Sequence, residues 1–306
     1  MKTINLGKSS LQVPVVAVGC MRLEQLDIHE AKRFIRAALD LGANFFDHAS
    51  TYGNGYCEEV FGDAISELGI ARDSLILQSK CGIIRGVMLN FSKEFILDRV
   101  DTSLKRLKTD YLDVLLLHRP DVLVEPEEVA EAFDKLYASG KVRNFGVSNQ
   151  NPMLMQLLQK SLSQPIVANQ MQFSIAHATM VSAGHHVNTL TDFAIDRDGS
   201  ALDYCRLNDI TVQAWSPFQF GNIEGTFLGN ESYPELNAKI DEIAAKYAVS
   251  NTTIALAWIL RHPARMQAVV GTMNAARLKD CVRAADIYLT REEWYEIYLA
   301  AGNTLF

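Results

Sequence analysis

Eight times in succession, a short apolar run rich in Val, Ile, Leu and Phe gives way to an amphipathic stretch of helical length. The apolar runs are 15–19 (VVAVG), 44–48 (NFFDH), 75–80 (LILQSK), 112–118 (LDVLLLH), 142–148 (VRNFGVS), 166–170 (IVANQ), 210–215 (ITVQAW) and 267–271 (QAVVG). Between and after them lie helical stretches at 28–41, 57–68, 92–107, 127–139, 152–161, 200–208, 251–261 and 274–285, with Asp27, Ser92 and Ser250 at cap positions. Strict strand–helix alternation implies parallel strands joined by crossover helices. Eight units in 306 residues favour a closed barrel over an open, doubly wound sheet. The expected fold class is therefore α/β, a (β/α)8 TIM barrel in a single domain over residues 1–306. The units are too dissimilar to count as a sequence repeat.

Three segments fall outside the eight units. Thr3 to Val13 carries a Gly-Lys-Ser-Ser turn between short apolar runs and reads as an N-terminal β-hairpin. Residues 171–199 and 216–233 are long connections following strands, which places both on the C-terminal face, where barrels carry their chemistry. A last helix near 290–301 is available to cap part of the barrel.

Composition narrows the function. A net charge of −7 argues against general nucleic-acid binding. The five cysteines are odd in number and form no CxxC pair, which argues against a disulfide framework and for a reducing compartment. VVAVGC at 15–20 looks superficially like a lipoprotein cleavage site, but the apolar run is short and preceded by Pro14. No apolar run is long enough to span a bilayer. The expectation is a cytoplasmic protein with a small-molecule partner, without nucleic acid or membrane.

The strand ends carry the chemistry. The second strand ends at Asp47, with Tyr52 five residues on; the third ends at Lys80 and the fourth at His118. Adjacent strands thus deliver ionisable groups to one rim. A tyrosine titrates near ~10, too high for efficient proton donation at neutral pH, and a neighbouring ammonium lowers that value. Lys80 can supply the charge, Asp47 can hold Lys80, and His118 can hydrogen-bond a carbonyl oxygen. The expected result is a Tyr52 phenol able to protonate an alkoxide as a hydride arrives at carbon.

The set Asp47, Tyr52, Lys80 and His118, with FDHASTYG, LQSK, LLLHRPD, VRNFGVSN, the NQ at 169–170 and the late GT…R segment, resembles the aldo-keto reductases over essentially the whole chain. LLLHRPD, AWILRHP and VVGT are most similar to the bacterial oxidoreductases of that superfamily. The resemblance implies a carbonyl reductase with NADP(H) extended across the barrel mouth; no GxGxxG follows a strand, so a Rossmann site is not expected. It implies that Ser148, Asn149 and Gln170 hold the nicotinamide carboxamide. Trp215 is implied to stack on the nicotinamide ring, and Ser216, Pro217 and Phe218 to begin a pyrophosphate loop. Gly19, Met21 and Arg22 fall where relatives approach the cofactor.

Thr272 and Arg277 match the spacing of a 2′-phosphate grip, and Asp280 matches the adenine-contacting acid. Two positions depart: Gly271 stands where a lysine is usual, and Cys281 where an asparagine is. NADP(H) stays favoured, with NAD(H) not excluded.

The substrate pocket is expected to draw on Tyr56, Met88, Phe91, Phe173, Phe218 and Phe220, an apolar lining suited to aldehydes and ketones. His177, His185 and His186 lack zinc-site spacing, so no metal is expected. Two other readings compete. One is a cofactor-sensing regulatory subunit of an ion channel. The other is a Schiff-base enzyme using Lys80, disfavoured because a Lys paired with Asp47 stays charged.

Overall fold

The computed structural model describes residues 1–305; Phe306, the last residue of the expected domain, lies outside the described residues. Eight parallel strands form a closed barrel: Val16–Gly19, Phe45–Asp47, Ile76–Cys81, Val114–Leu117, Phe145–Ser148, Ile166–Gln172, Thr211–Trp215 and Gln267–Val270. Each pairs with the next in sequence, and the eighth closes on the first through Ala268–Val16, Val269–Ala17 and Val270–Val18. The expected (β/α)8 barrel is the fold observed.

The N-terminal hairpin pairs Thr3–Asn5 with Gln12–Pro14. Its Leu6 and Val13 join Ala17, Phe45, Ile76, Val114 and Val269 in one buried apolar cluster, so the hairpin helps cover the apolar lower interior. The turn requires glycine at position 7: φ is +55°, and a Cβ there would lie 2.3 Å from the Val167 carbonyl oxygen.

The helices follow the apolar periodicity. Ile28–Asp40 buries Ala31, Phe34, Ile35 and Ala38, and Asp27 closes a reciprocal capping box with Glu30. Ser250 caps Asn251–Leu260 as expected. Ser92 does not cap with its side chain. Instead Glu128 of the next helix accepts from the Lys93 backbone N–H at 3.1 Å, a tertiary contact that replaces the local one.

The two long connections hold structure of their own. Residues 171–199 include the helix Thr179–His185. Residues 216–233 form a small hairpin, Gln219–Phe220 with Gly225–Thr226. An additional helix, Pro234–Tyr247, precedes the one expected near 251; it starts on Pro234 and buries Leu236, Ile240, Ile243 and Ala244 on one face. The last helix, Arg291–Ala300, packs on the outer ring. Trp294 stacks on Trp258 at 4.6 Å, and each indole N–H donates to the other's backbone carbonyl at 3.0 Å. No single helix among the described residues is long and apolar enough to cross a membrane.

One buried group sets a pH limit on this fold. His48 is fully buried against the edge of Phe61, and neither ring nitrogen has a hydrogen-bond partner. Burial first, then Lys80, lowers it to about 3. The unfolded chain therefore binds this proton more readily than the folded one between its usual 6.5 and about 3. The stabilisation is complete above that window and erodes as pH falls through it, by at most ~1.4 kcal/mol per pH unit. Urea unfolding between pH 7 and 4 should show a smaller loss of stability for His48→Leu than for the parent. Parallel losses would contradict this assignment.

Candidate active site

The strand ends meet a loop that doubles back over them. Asp47 ends the second strand, in register with Gly19 and Gln78. The His48 and Ser50 backbone N–H groups donate to Gln78 and Lys80 carbonyls at 2.8 and 3.0 Å, which pins the following loop to the third strand. Tyr52 opens a tight turn in which Gly53, Asn54 and Gly55 all take positive φ, a path open to glycine and asparagine. His118 follows the fourth strand, its N–H donating to the Cys81 carbonyl at 2.9 Å.

Lys80 has three ammonium hydrogens and three acceptors. Nζ donates to Asp47 Oδ2 at 2.7 Å, the His48 carbonyl at 2.8 Å and Tyr52 Oη at 3.0 Å. Burial pushes Lys80 down, but the Asp47 carboxylate and then Tyr52 more than offset it, so its pKa is raised and the ammonium persists. Tyr52 shows the opposite balance. Burial pushes the phenol up by more than Lys80 pulls it down, which corrects the expectation of a lowered value. The phenol therefore keeps its proton at neutral pH.

His118 is held well below the usual imidazole range by burial, then by the charges of Lys80 and Arg119. Its Nδ1 is buried without a partner, so the neutral ring best carries its proton on Nε2. The Tyr52 and His118 rings stand edge-on with centroids 6.0 Å apart.

Both rings help line a cavity of about 920 Å³. Asp47, Gly19, Met21, Arg22, Ser148, Asn149, Gln170, Trp215, Ser216, Pro217, Phe218, Gly271, Thr272 and Arg277 line it too. Lys80 does not; it sits beneath and reaches the cavity through Tyr52. Asp280 does not either. It lies farther along the helix Ala275–Arg283, and its backbone carbonyl accepts from Thr253. Cys281 is a core residue, its thiol pushed up to about 12 by burial.

One side of the cavity is a hydrogen-bonded ledge. Ser148 Oγ donates to the Gln170 carbonyl at 2.9 Å and accepts from Asn149 Nδ2 at 2.7 Å. Trp215 Nε1 donates to Asn149 Oδ1 at 3.2 Å. Next to it around the rim, Arg22 Nη1 donates to the Gly271 carbonyl at 2.9 Å. A Cβ at 271 would fall 2.7 Å from that nitrogen, so the glycine makes room for a guanidinium arriving from the first strand.

Several expectations for the substrate pocket are corrected. Phe91 and Phe173 are buried core residues, Phe173 stacked on Trp258 at 5.5 Å. Tyr56 and Met88 are about half exposed and outside the lining, and Phe220 packs on Tyr233. Of the six expected lining residues, Phe218 lines the cavity, while Phe173 and Phe220 pack against other aromatic rings and anchor their segments. His186 ties its segment to the Thr304 carbonyl at 2.9 Å, and His185 packs on Tyr298. Arg119, absent from the expected site, lines the cavity with its guanidinium 5.4 Å from the centroid of the Trp215 ring. The only hint in the sequence was its position directly after His118.

The sequence profile of the Aldo/keto reductase family matches residues 15–300. The chain belongs to the aldo/keto reductase family. An uncharacterized oxidoreductase of Bacillus subtilis is 33% identical over 313 residues, covering 98% of each chain. A 6-dehydroglucose reductase of Agrobacterium fabrum is 33% identical, over 88% of this chain and 87% of its own. A crystal structure of a thermostable aldo-keto reductase with the inhibitor epalrestat superposes at a TM-score of 0.76, covering 98% of this chain and 100% of that one, at 24% identity. That last likeness is one of fold. As a member of this family the chain is an oxidoreductase, and the family uses nicotinamide cofactors.

The residues present fit such a group. Three arginines, Arg22, Arg119 and Arg277, line the cavity; its one carboxylate, Asp47, is already paired with Lys80. A chain of net charge −7 thus concentrates positive charge at this rim, as an anionic ligand requires. A histidine with this environment stays neutral across the working range. The ring ¹⁵N shifts of His118 should remain those of neutral imidazole from pH 8 to pH 5; a titration midpoint near 6.5 would contradict the geometry described.

Proposed function

We propose that this chain is an NADPH-dependent carbonyl reductase that converts aldehydes or ketones to alcohols with Tyr52 as general acid. The observation that carries the reading is the hydrogen bond from the fully engaged Lys80 ammonium to a Tyr52 phenol that faces the cavity beside neutral His118. When bound, the nicotinamide supplies the hydride. Tyr52 Oη gives its proton to the carbonyl oxygen as negative charge develops there. Lys80 stabilises the phenolate left behind, and Asp47 keeps Lys80 in place. Nε2–H of His118 donates to the same oxygen and orients it.

Ser148, Asn149, Gln170 and Trp215 are the residues we assign to the nicotinamide end. Arg277 and Thr272, with Arg22 in place of the absent lysine, are those we assign to phosphate groups, which favours NADPH over NADH. Arg119, the lining arginine not assigned to the cofactor, together with relatives named 6-dehydroglucose reductase, supports a small, oxygen-rich aldehyde as substrate rather than a greasy one. A regulatory subunit would use the same cofactor seat without sustained turnover, so turnover separates the two readings.

NADPH oxidation with a panel of hydroxylated and aromatic aldehydes tests this. Tyr52→Phe should lower kcat by about a hundredfold or more while NADPH affinity, read by fluorescence titration, stays within about threefold. Near-normal turnover in that variant would refute the mechanism. Arg277→Ala should weaken NADPH about tenfold and NADH far less. Equal losses would remove Arg277 from the 2′-phosphate.

A further inference from the structure

Four glutamines stand inside the barrel, one each on the third, sixth, seventh and eighth strands: Gln78, Gln170, Gln213 and Gln267. All are buried, and none is more than 3% exposed. Gln170, Gln213 and Gln267 are direct register partners on the sixth, seventh and eighth strands, and Gln78 is the register partner of Asp47. Their amides form one connected network. Gln267 Nε2 donates to the Pro14 carbonyl at 2.7 Å. Gln213 Nε2 donates to Gln267 Oε1 at 2.8 Å and to Gln78 Oε1 at 3.0 Å. Gln78 Nε2 donates to Gln213 Oε1 at 3.0 Å and to Asp47 Oδ1 at 2.6 Å. Gln170 Nε2 donates to Gln213 Oε1 at 3.1 Å and to Asp47 Oδ1 at 3.1 Å.

The direction of this network is set at its far end. A backbone carbonyl only accepts, so Pro14 forces the Gln267 amide nitrogen toward itself and the Gln267 oxygen toward Gln213. That oxygen takes the Gln213 nitrogen and leaves the Gln213 oxygen facing Gln78 and Gln170. Both of those amides must then turn their nitrogens to the Gln213 oxygen, and their second N–H groups reach Asp47 Oδ1. Two donors saturate one carboxylate oxygen and leave Oδ2 alone for Lys80.

We infer that Gln78, Gln213 and Gln267 are positioning residues: an amide relay, anchored on the Pro14 carbonyl, that orients Asp47 so that its Oδ2 holds Lys80 against Tyr52. The inference rests on the proposed reductase chemistry for its kinetic consequence, but its geometry is independent of any substrate. A buried apolar layer would fill the same space; it would not supply donors to Oδ1. Without them the carboxylate is free to rotate, and Lys80 loses its fixed counter-charge while remaining buried.

Gln78→Met keeps the volume and removes the donor. Losing one hydrogen bond to a charged group should lower kcat about tenfold to a hundredfold, with KM and NADPH affinity within about threefold. Gln78→Glu gives the sharper readout. At low pH the new carboxyl is protonated and can donate to Asp47, whereas its ionised form repels Asp47. Turnover relative to the parent should therefore recover as pH falls.

Parental kcat in Gln78→Met, or a parental pH profile in Gln78→Glu, would overturn the relay. If the Gln78 variants do not fold, Gln213→Met should show the same split between kcat and KM, and a folded Gln213→Met with parental kcat would overturn it equally. A parent that reduces no carbonyl defeats the proposed function instead. The relay is then read by NMR of the ¹⁵N-labelled lysine ammonium. Slow hydrogen exchange at Lys80 Nζ in the parent and faster exchange in the glutamine variants support it; unchanged exchange in a folded variant overturns it.

Discussion

A lysine ammonium in the middle of a closed barrel has no water to solvate it, and the upper half of this molecule is arranged around that fact. Lys80 is 1% exposed. Leaving such a charge with a missing partner costs about 3–5 kcal/mol. Its three hydrogens find three acceptors, contributed by the second strand and the loop after it. The same arrangement that satisfies Lys80 delivers a positive charge to Tyr52 from below. Stability and the proposed proton chemistry thus use one set of contacts.

That set is possible because the barrel closes with a defined stagger. Asp47 lies level with Gln78, and Lys80 two residues farther along points to the same inner face. A one-residue slip between the second and third strands would turn one of them outward. The apolar bottom, with Leu6 and Val13 of the hairpin among its members, keeps that end of the interior covered, and the glutamine network runs from the hairpin's Pro14 carbonyl to Asp47 at the rim. The mouth then gains its positive character from three arginines on different segments: Arg22 after the first strand, Arg119 after the fourth and Arg277 after the eighth.

Much of this was legible in the chain. The eight apolar runs became the eight barrel strands, and the glycine-lysine turn became the hairpin. Polar residues at strand ends pointed to the rim because strand direction and the parallel fold leave them nowhere else to go. Other features were hidden. Phe91 and Phe173 looked like pocket residues, yet side chains from other segments cover them; no local pattern reports that. Ser92 carried the signature of a cap that Glu128, thirty-six positions away, made unnecessary. Tyr52 was expected to have a lowered pKa from its charged neighbour, and burial, invisible in the sequence, outweighed that charge.

The sequence by itself determined the order and kind of the elements, since period and length of apolar runs are local properties. It also determined that Asp47, Lys80 and His118 come to the C-terminal rim, because each is tied to the end of a particular strand. Only the tertiary structure decided how those groups share protons and which residues accompany them. The glutamine network, the meeting of Arg22 with Gly271 and the neutral state of His118 depend on distances between segments far apart in the chain. They depend as well on the exclusion of water, and neither exists until the eighth strand pairs with the first.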